Sequence, residues 1–211
     1  MSAYGLKTHN AIRELAQITR NYENVAEGMR HSALLPPRHK VFVSYHAVDA
    51  VEVLDFIAAN TEVFIPRAIG MEEDGSDIID STNVPYIRQT IKEKFLRDST
   101  VTLLAIGECT WARKFVDWEI YTSLRSNPNG LLAVQLPSVA GTRPKLPPRL
   151  SLNLRKNDNL SYANYYVPPS SQSILRTWIQ TAFEGRTQRR DLIDLGGDLR
   201  ERNSPCEQSL V

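Results

Sequence analysis

Apolar residues along this chain fall either in short continuous runs or in longer stretches where they recur every three or four positions. The head, up to about Leu35, is of the second kind. Ile12, Leu15, Thr19, Tyr22, Ala26 and Met29 step by three and four, which predicts one helical face capped by Thr8 or Asn10. Pro36-Pro37 ends that helix, because a proline ring disfavours helical geometry in the residue before it. The middle, Lys40 to Leu136, alternates the two patterns. Val41–Tyr45 reads as a buried strand, and a helix follows near Asp49–Ala59. Glu62–Ile65 is a second, weaker strand that Pro66 is expected to stop. A helix is predicted over Val84–Arg97, with Ser81, Thr82 or Asn83 as cap, Pro85 in its first turn, and Ile87, Ile91 and Phe95 facing a sheet. Val101–Ile106 is the clearest strand; a helix over Arg113–Arg125 and a strand over Leu131–Leu136 follow. Strand–helix alternation with continuous apolar strands predicts an α/β fold: parallel strands joined by crossovers, helices on both faces.

After the proline-rich stretch Pro137–Pro148, Asn164–Val167 adds an edge strand, and Ser170–Phe183 reads as a last helix packing through Ile174, Trp178 and Ala182. Beyond Gly185 charges of both signs dominate, so that stretch is expected to be a mobile helix or disordered. The expected organisation is a helical extension over 1–38, one α/β domain over 39–185, and a charged tail over 186–211.

Composition narrows the function. The 211 residues carry 25 Lys+Arg against 24 Asp+Glu, a net charge of +1, which argues against a nucleic-acid binder. No apolar run approaches the ~20 residues of a membrane helix, and MSAYGLKTHNAIREL lacks the apolar core of a secretory signal. Two cysteines, Cys109 and Cys206, are too few for a disulfide framework, so a cytoplasmic location is expected, with Cys109 a small packing residue. The acidic cluster Glu72, Glu73, Asp74, Asp77 and Asp80 lacks the alternate spacing of a calcium loop; a solvated loop is expected, and no metal.

In an open parallel sheet, ligands bind outside the carboxyl ends of the strands. Two segments meet that rule: Ser44–Asp49 after the first strand, and Gly107–Glu119 after the strand ending at Ile106. Val41-Phe42-Val43-Ser44-Tyr45-His46, followed by Asp49, resembles the first box of TIR domains. Thr110–Ile120, TWARKFVDWEI, resembles the TIR helix motif Trp-Cys-x-x-Glu-Leu, with Phe115, Val116 and Ile120 substituted and Glu119 on the family's catalytic glutamate. The Ser-aromatic-His box, the strand ending in Ile-Gly and the aromatic-Val-x-aromatic-Glu-Ile helix most resemble the TIR-like proteins of bacterial Thoeris anti-phage systems. The similarity spans about 100 residues, Lys40 to Leu136.

The resemblance implies a flavodoxin-like/TIR-like three-layer fold with a mainly parallel five-stranded sheet flanked by helices. It implies cleavage of the nicotinamide–ribose bond of NAD, as substrate and not as resident cofactor, and a cyclic ADP-ribose-derived nucleotide that activates a partner effector. A phage-derived trigger and homo-oligomer formation come with it. Glu119 is then the catalytic residue, and Ser44, Tyr45, His46, Trp111 and Phe115 bind substrate. Each has a plainer reading: Ser44 a turn or cap residue, His46 a loop histidine, Glu119 a solvated helix residue. Trp118 is expected in the core, and Asp49 as the cap of the next helix. A non-catalytic TIR-type assembly module is the alternative function. A phosphate-accepting receiver is disfavoured, since no lysine closely follows Ile106 or Gln135.

Overall fold

The apolar runs do form strands, and all of them are parallel. The computed structural model describes residues 37–69, 83–154 and 161–206. The chain separates into two units, Met1–Pro37 and Arg38–Val211, and everything below concerns the second. The predicted head helix and the acidic cluster Glu72–Asp80 lie outside the described residues. The strands are β1 (Lys40–Ser44), β2 (Ile65–Arg67), β3 (Val101–Ile106), β4 (Gly130–Gln135) and β5 (Asn164–Tyr166), in the order β2-β1-β3-β4-β5. That is the flavodoxin-like order, whose direction of winding reverses between β1 and β3.

The helices are α1 (Ala50–Ala59), α2 (Val84–Thr90), α3 (Lys114–Leu124), α4 (Pro148–Asn153) and α5 (Gln172–Gln188). The side-chain period of two sorts the strand residues onto two faces. Val41, Val43, Leu103, Ala105, Leu132 and Val134 pack with Val53 and Ile57 of α1 and Leu175 and Ile179 of α5. On the other face Leu104, Ile106, Leu131 and Ala133 meet Val116 and Ile120 of α3 and Leu150 of α4. Phe42 meets Ile87, Ile91, Phe95 and Trp118 there. Ile87, Ile91 and Phe95 thus face the sheet as their spacing predicts, and Trp118 is core, 1% exposed.

Four details depart from the pattern. Pro66 does not stop β2; it lies inside it, paired with Val41. β2 is an edge strand, and there a missing N–H costs no ladder bond. The helix over 84–97 starts with Asn83 accepting from the Tyr86 amide, but it widens into a π-helix over Ile91–Leu96. In α5 the buried stripe is Leu175, Ile179 and Ala182, whereas Ile174 is 37% exposed and Trp178 stacks on Tyr166 with centroids 4.1 Å apart. Asp49 precedes α1 but its side chain does not cap it. The chain enters α1 through the 3₁₀ turn Ala47–Asp49, without the extended backbone that aims a capping side chain. The Asp49 carboxyl rests instead against Gly107, where a Cβ would sit 2.4 Å from its Oδ2. Burial, then the charge of Glu52, pushes the Asp49 carboxyl above its usual range.

The largest departure is the tail. The stretch beyond Gly185 has a defined conformation over 186–206. It completes α5 and then runs as a strap across α4 and α3. Arg149, 2% exposed, makes a salt bridge to Asp117 at 3.0 Å and donates to the carbonyls of Leu195, Gly196, Gly197 and Asp198. Gly197 has φ +79°, a conformation that favours glycine and that helps turn successive carbonyls onto one guanidinium. The Arg200 amide donates to Asp117, and its carbonyl accepts from Trp118 Nε1 at 2.8 Å. Dense mixed charge in the sequence concealed an ordered segment because its key partner is a buried ion pair.

A disulfide between Cys109 and Cys206 ties the strap down, which corrects the reading of Cys109 as a mere packing residue. The bridge closes a loop of 97 residues. Restricting the unfolded chain over such a loop stabilises by roughly 4 to 5 kcal/mol. Reduction is therefore expected to lower the thermal midpoint clearly, with Cys206→Ser reproducing the shift; equal midpoints with and without reductant would contradict this.

Candidate active site

A cavity of about 570 Å³ opens at the carboxyl end of β1, at the point where the winding reverses. It falls in the size range of small-molecule sites. Ser44 ends β1 on the same face as Phe42, pointing toward α3. There its hydroxyl donates to Glu119 Oε2 at 2.5 Å, across 75 positions of sequence. The two boxes of the sequence thus meet through one hydrogen bond. Ser44 is committed to Glu119 rather than to a cap.

Glu119 is not a solvated helix residue. It lies 6% exposed on the inner side of α3 and lines the cavity. Burial pushes its carboxyl from 4.5 up to about 7, and the Ser44 hydrogen bond only partly opposes this. Near neutral pH the group is therefore divided between acid and carboxylate. Its backbone carbonyl accepts from Ser123, whose hydroxyl in turn meets Thr102 of β3, so α3 is pinned to the sheet one turn further on.

Tyr45, His46 and Phe115 line the same cavity. The Tyr45 hydroxyl donates to the Ile69 carbonyl at 2.9 Å, which leaves its ring as wall. His46 is 9% exposed, and its Nδ1 has no hydrogen-bond partner among the described residues. Burial, then the nearby Arg113 charge, lowers its pKa, so the ring favours the neutral form. Phe115 is 41% exposed and meets Trp118 edge-on at 5.2 Å. Trp111 does not line the cavity. Its ring lies under the Lys145 ammonium at 3.5 Å, with the Arg200 guanidinium at 6.0 Å. The 3₁₀ turn Thr110–Ala112 sits between strand and helix and carries that ring away from the cavity.

Two polar lining residues escaped the sequence reading. Arg113, the residue before α3, brings a cation to the cavity, and its Nε is buried without a partner among the described residues. Its place in the loop after β3 was the available signal. Asn203 comes from the strap, and its Oδ1 accepts from the Lys114 amide, the first of α3. Nothing local in the sequence marks it. Among the described residues no metal-binding cluster is present and no helix is long and apolar enough to cross a membrane.

The parallel sheet order, together with a serine and a glutamate joined at its switch point, defines a TIR-like α/β domain. Residues 42–141 match the family model described as Thoeris protein ThsB, TIR-like domain. Over that stretch, just under half of the chain, the protein is similar to the TIR-like domain of Thoeris anti-phage proteins. No curated protein matches the chain.

Proposed function

We propose that this domain cleaves the nicotinamide–ribose bond of NAD and converts the ADP-ribose part into a cyclic signalling nucleotide for a partner effector. NAD is the substrate, and no resident cofactor is required. The observation that carries this reading is the buried Ser44–Glu119 pair in a nucleotide-sized cavity.

The chemistry asks for negative charge that appears when needed. As the glycosidic bond breaks, its electron pair leaves with the nicotinamide nitrogen, and the ribose gains oxocarbenium character. Positive charge developing beside Glu119 draws the carboxyl toward its ionised form, so the attraction is stronger in the transition state than in the ground state. Ser44 orients the carboxylate. A ribose or adenine nucleophile, or water, then adds to the anomeric carbon and loses its proton. Phe115 and Tyr45 offer aromatic surface to the bases, and Arg113 supplies a cation for the pyrophosphate.

Mass spectrometry of extracts from phage-infected cells tests this. Cells with the unaltered protein are expected to lose NAD and gain an ADP-ribose-derived nucleotide; cells with Glu119→Ala are expected to do neither and to lose protection. Full protection by Glu119→Ala would instead favour the assembly-module reading.

A further inference from the structure

We infer that the groove between the Val84–Leu96 helix and α3 is a second ligand site, one that binds a small polyphosphate anion. Two adjoining depressions of about 310 and 370 Å³ form it. Arg88, Lys92 and Arg125 line it, joined at one end by Arg97. Among the described residues none of these four makes an ion pair, although the chain as a whole carries a net charge of only +1. Among the described residues Glu93 is the one carboxylate lining the groove, and it is engaged by the Gln89 amide.

The crowding of charge is sharpest around Tyr121. The guanidinium carbons of Arg88, Arg125 and Arg149 stand 4.9, 5.4 and 5.0 Å from that ring's centroid. Arg149 has Asp117 as its counter-ion; among the described residues Arg88 and Arg125 have none. Arg88 Nε is buried and has no hydrogen-bond partner among the described residues. Guanidinium groups gathered on one ring repel one another, and a donor left unpaired costs free energy, unless an anion joins them. Planar guanidiniums present paired N–H groups that match phosphate oxygens, and a spread of cations suits several phosphates better than a single carboxylate. The groove edge is also conformationally fixed. Ser126 adopts φ 61°, uncommon outside glycine, and its carbonyl accepts from Arg190.

This site does not depend on the NAD reading, since none of its residues lines the Glu119 cavity. The test is calorimetric titration of the full chain with inorganic tripolyphosphate, then with ATP. Tripolyphosphate is expected to bind at low salt and to weaken as salt rises. Arg88→Gln/Arg125→Gln is expected to weaken it at least about 30-fold, because each lost charge-assisted contact is worth roughly tenfold. Arg88→Lys/Arg125→Lys is expected to restore much of the loss, and Glu119→Gln to leave binding unchanged. Equal binding of ATP and tripolyphosphate assigns recognition to the phosphates; tighter ATP binding that also needs Arg88 and Arg125 adds a base contact to the same site. Absence of tripolyphosphate binding, or binding indifferent to the double Gln variant, overturns the proposal. So does a single-stranded oligonucleotide that binds the groove while tripolyphosphate fails to compete.

Discussion

Glu119→Gln is expected to abolish the reaction and to stabilise the fold at the same time. Loss of an electrostatic group aimed at developing charge costs about 10²–10³-fold in rate, so NAD cleavage in the variant should fall by at least that much. Stability moves the other way, and its sign follows from the buried carboxyl. In the unfolded chain the group ionises near 4.5; in the folded chain burial delays ionisation to about 7. Between those values the unfolded state holds fewer protons, so rising pH favours unfolding. Below this window both states are protonated and the cost vanishes; above it the cost is constant, on the order of 3 kcal/mol. Glutamine keeps an acceptor for Ser44 and has no such cost. Urea unfolding of both proteins at about pH 5 and about pH 8 reads the difference. The two should be similar at the lower pH, with the variant clearly more stable at the higher. Parallel pH curves would show that Glu119 is not buried as described.

Arg149→Met is expected to be strongly destabilising, by about 3 to 5 kcal/mol, because it leaves the buried Asp117 without its counter-ion. The guanidinium holds that carboxylate at 3.0 Å and four strap carbonyls besides. Methionine fills comparable space, so the loss comes from charge and hydrogen bonds rather than from a cavity. Two measurements separate the parts. Asp117→Leu combined with Arg149→Met removes the stranded carboxylate and should recover part of the loss. Limited proteolysis should cut residues 195–205 in either Arg149 variant, even with the Cys109–Cys206 bridge intact. An uncut strap and an unchanged denaturation midpoint would contradict this account. Asn203 reaches the cavity only through this strap, so a freed strap should also weaken substrate binding.

The elements and their layering could be read from the chain itself. Continuous runs such as Val101–Ile106 are legible because a strand covered on both faces needs no polar alternation. Ile87, Ile91 and Phe95 are legible because helical spacing reports which side is dry. The two boxes around Ser44 and Glu119 could also be read, and with them the family resemblance. Where sequence misled, a long-range partner was the reason. Pro66 looked like a strand breaker until β1 claimed only its other edge. Trp111 looked like a ligand wall until Lys145 and Arg200 took its ring.

Sequence by itself thus determined the alternation of strand and helix, which side of each element is apolar, and the two motifs at the sheet's carboxyl end. Tertiary structure alone decided that Ser44 donates to Glu119, that the carboxyl is dry enough to stay protonated to about 7, and that the charged tail straps α3 through Arg149 and Cys206. Periodicity records how a residue faces its own helix or strand. Burial and charge pairing depend on which distant residue stands opposite, and that is set only when the whole sheet closes.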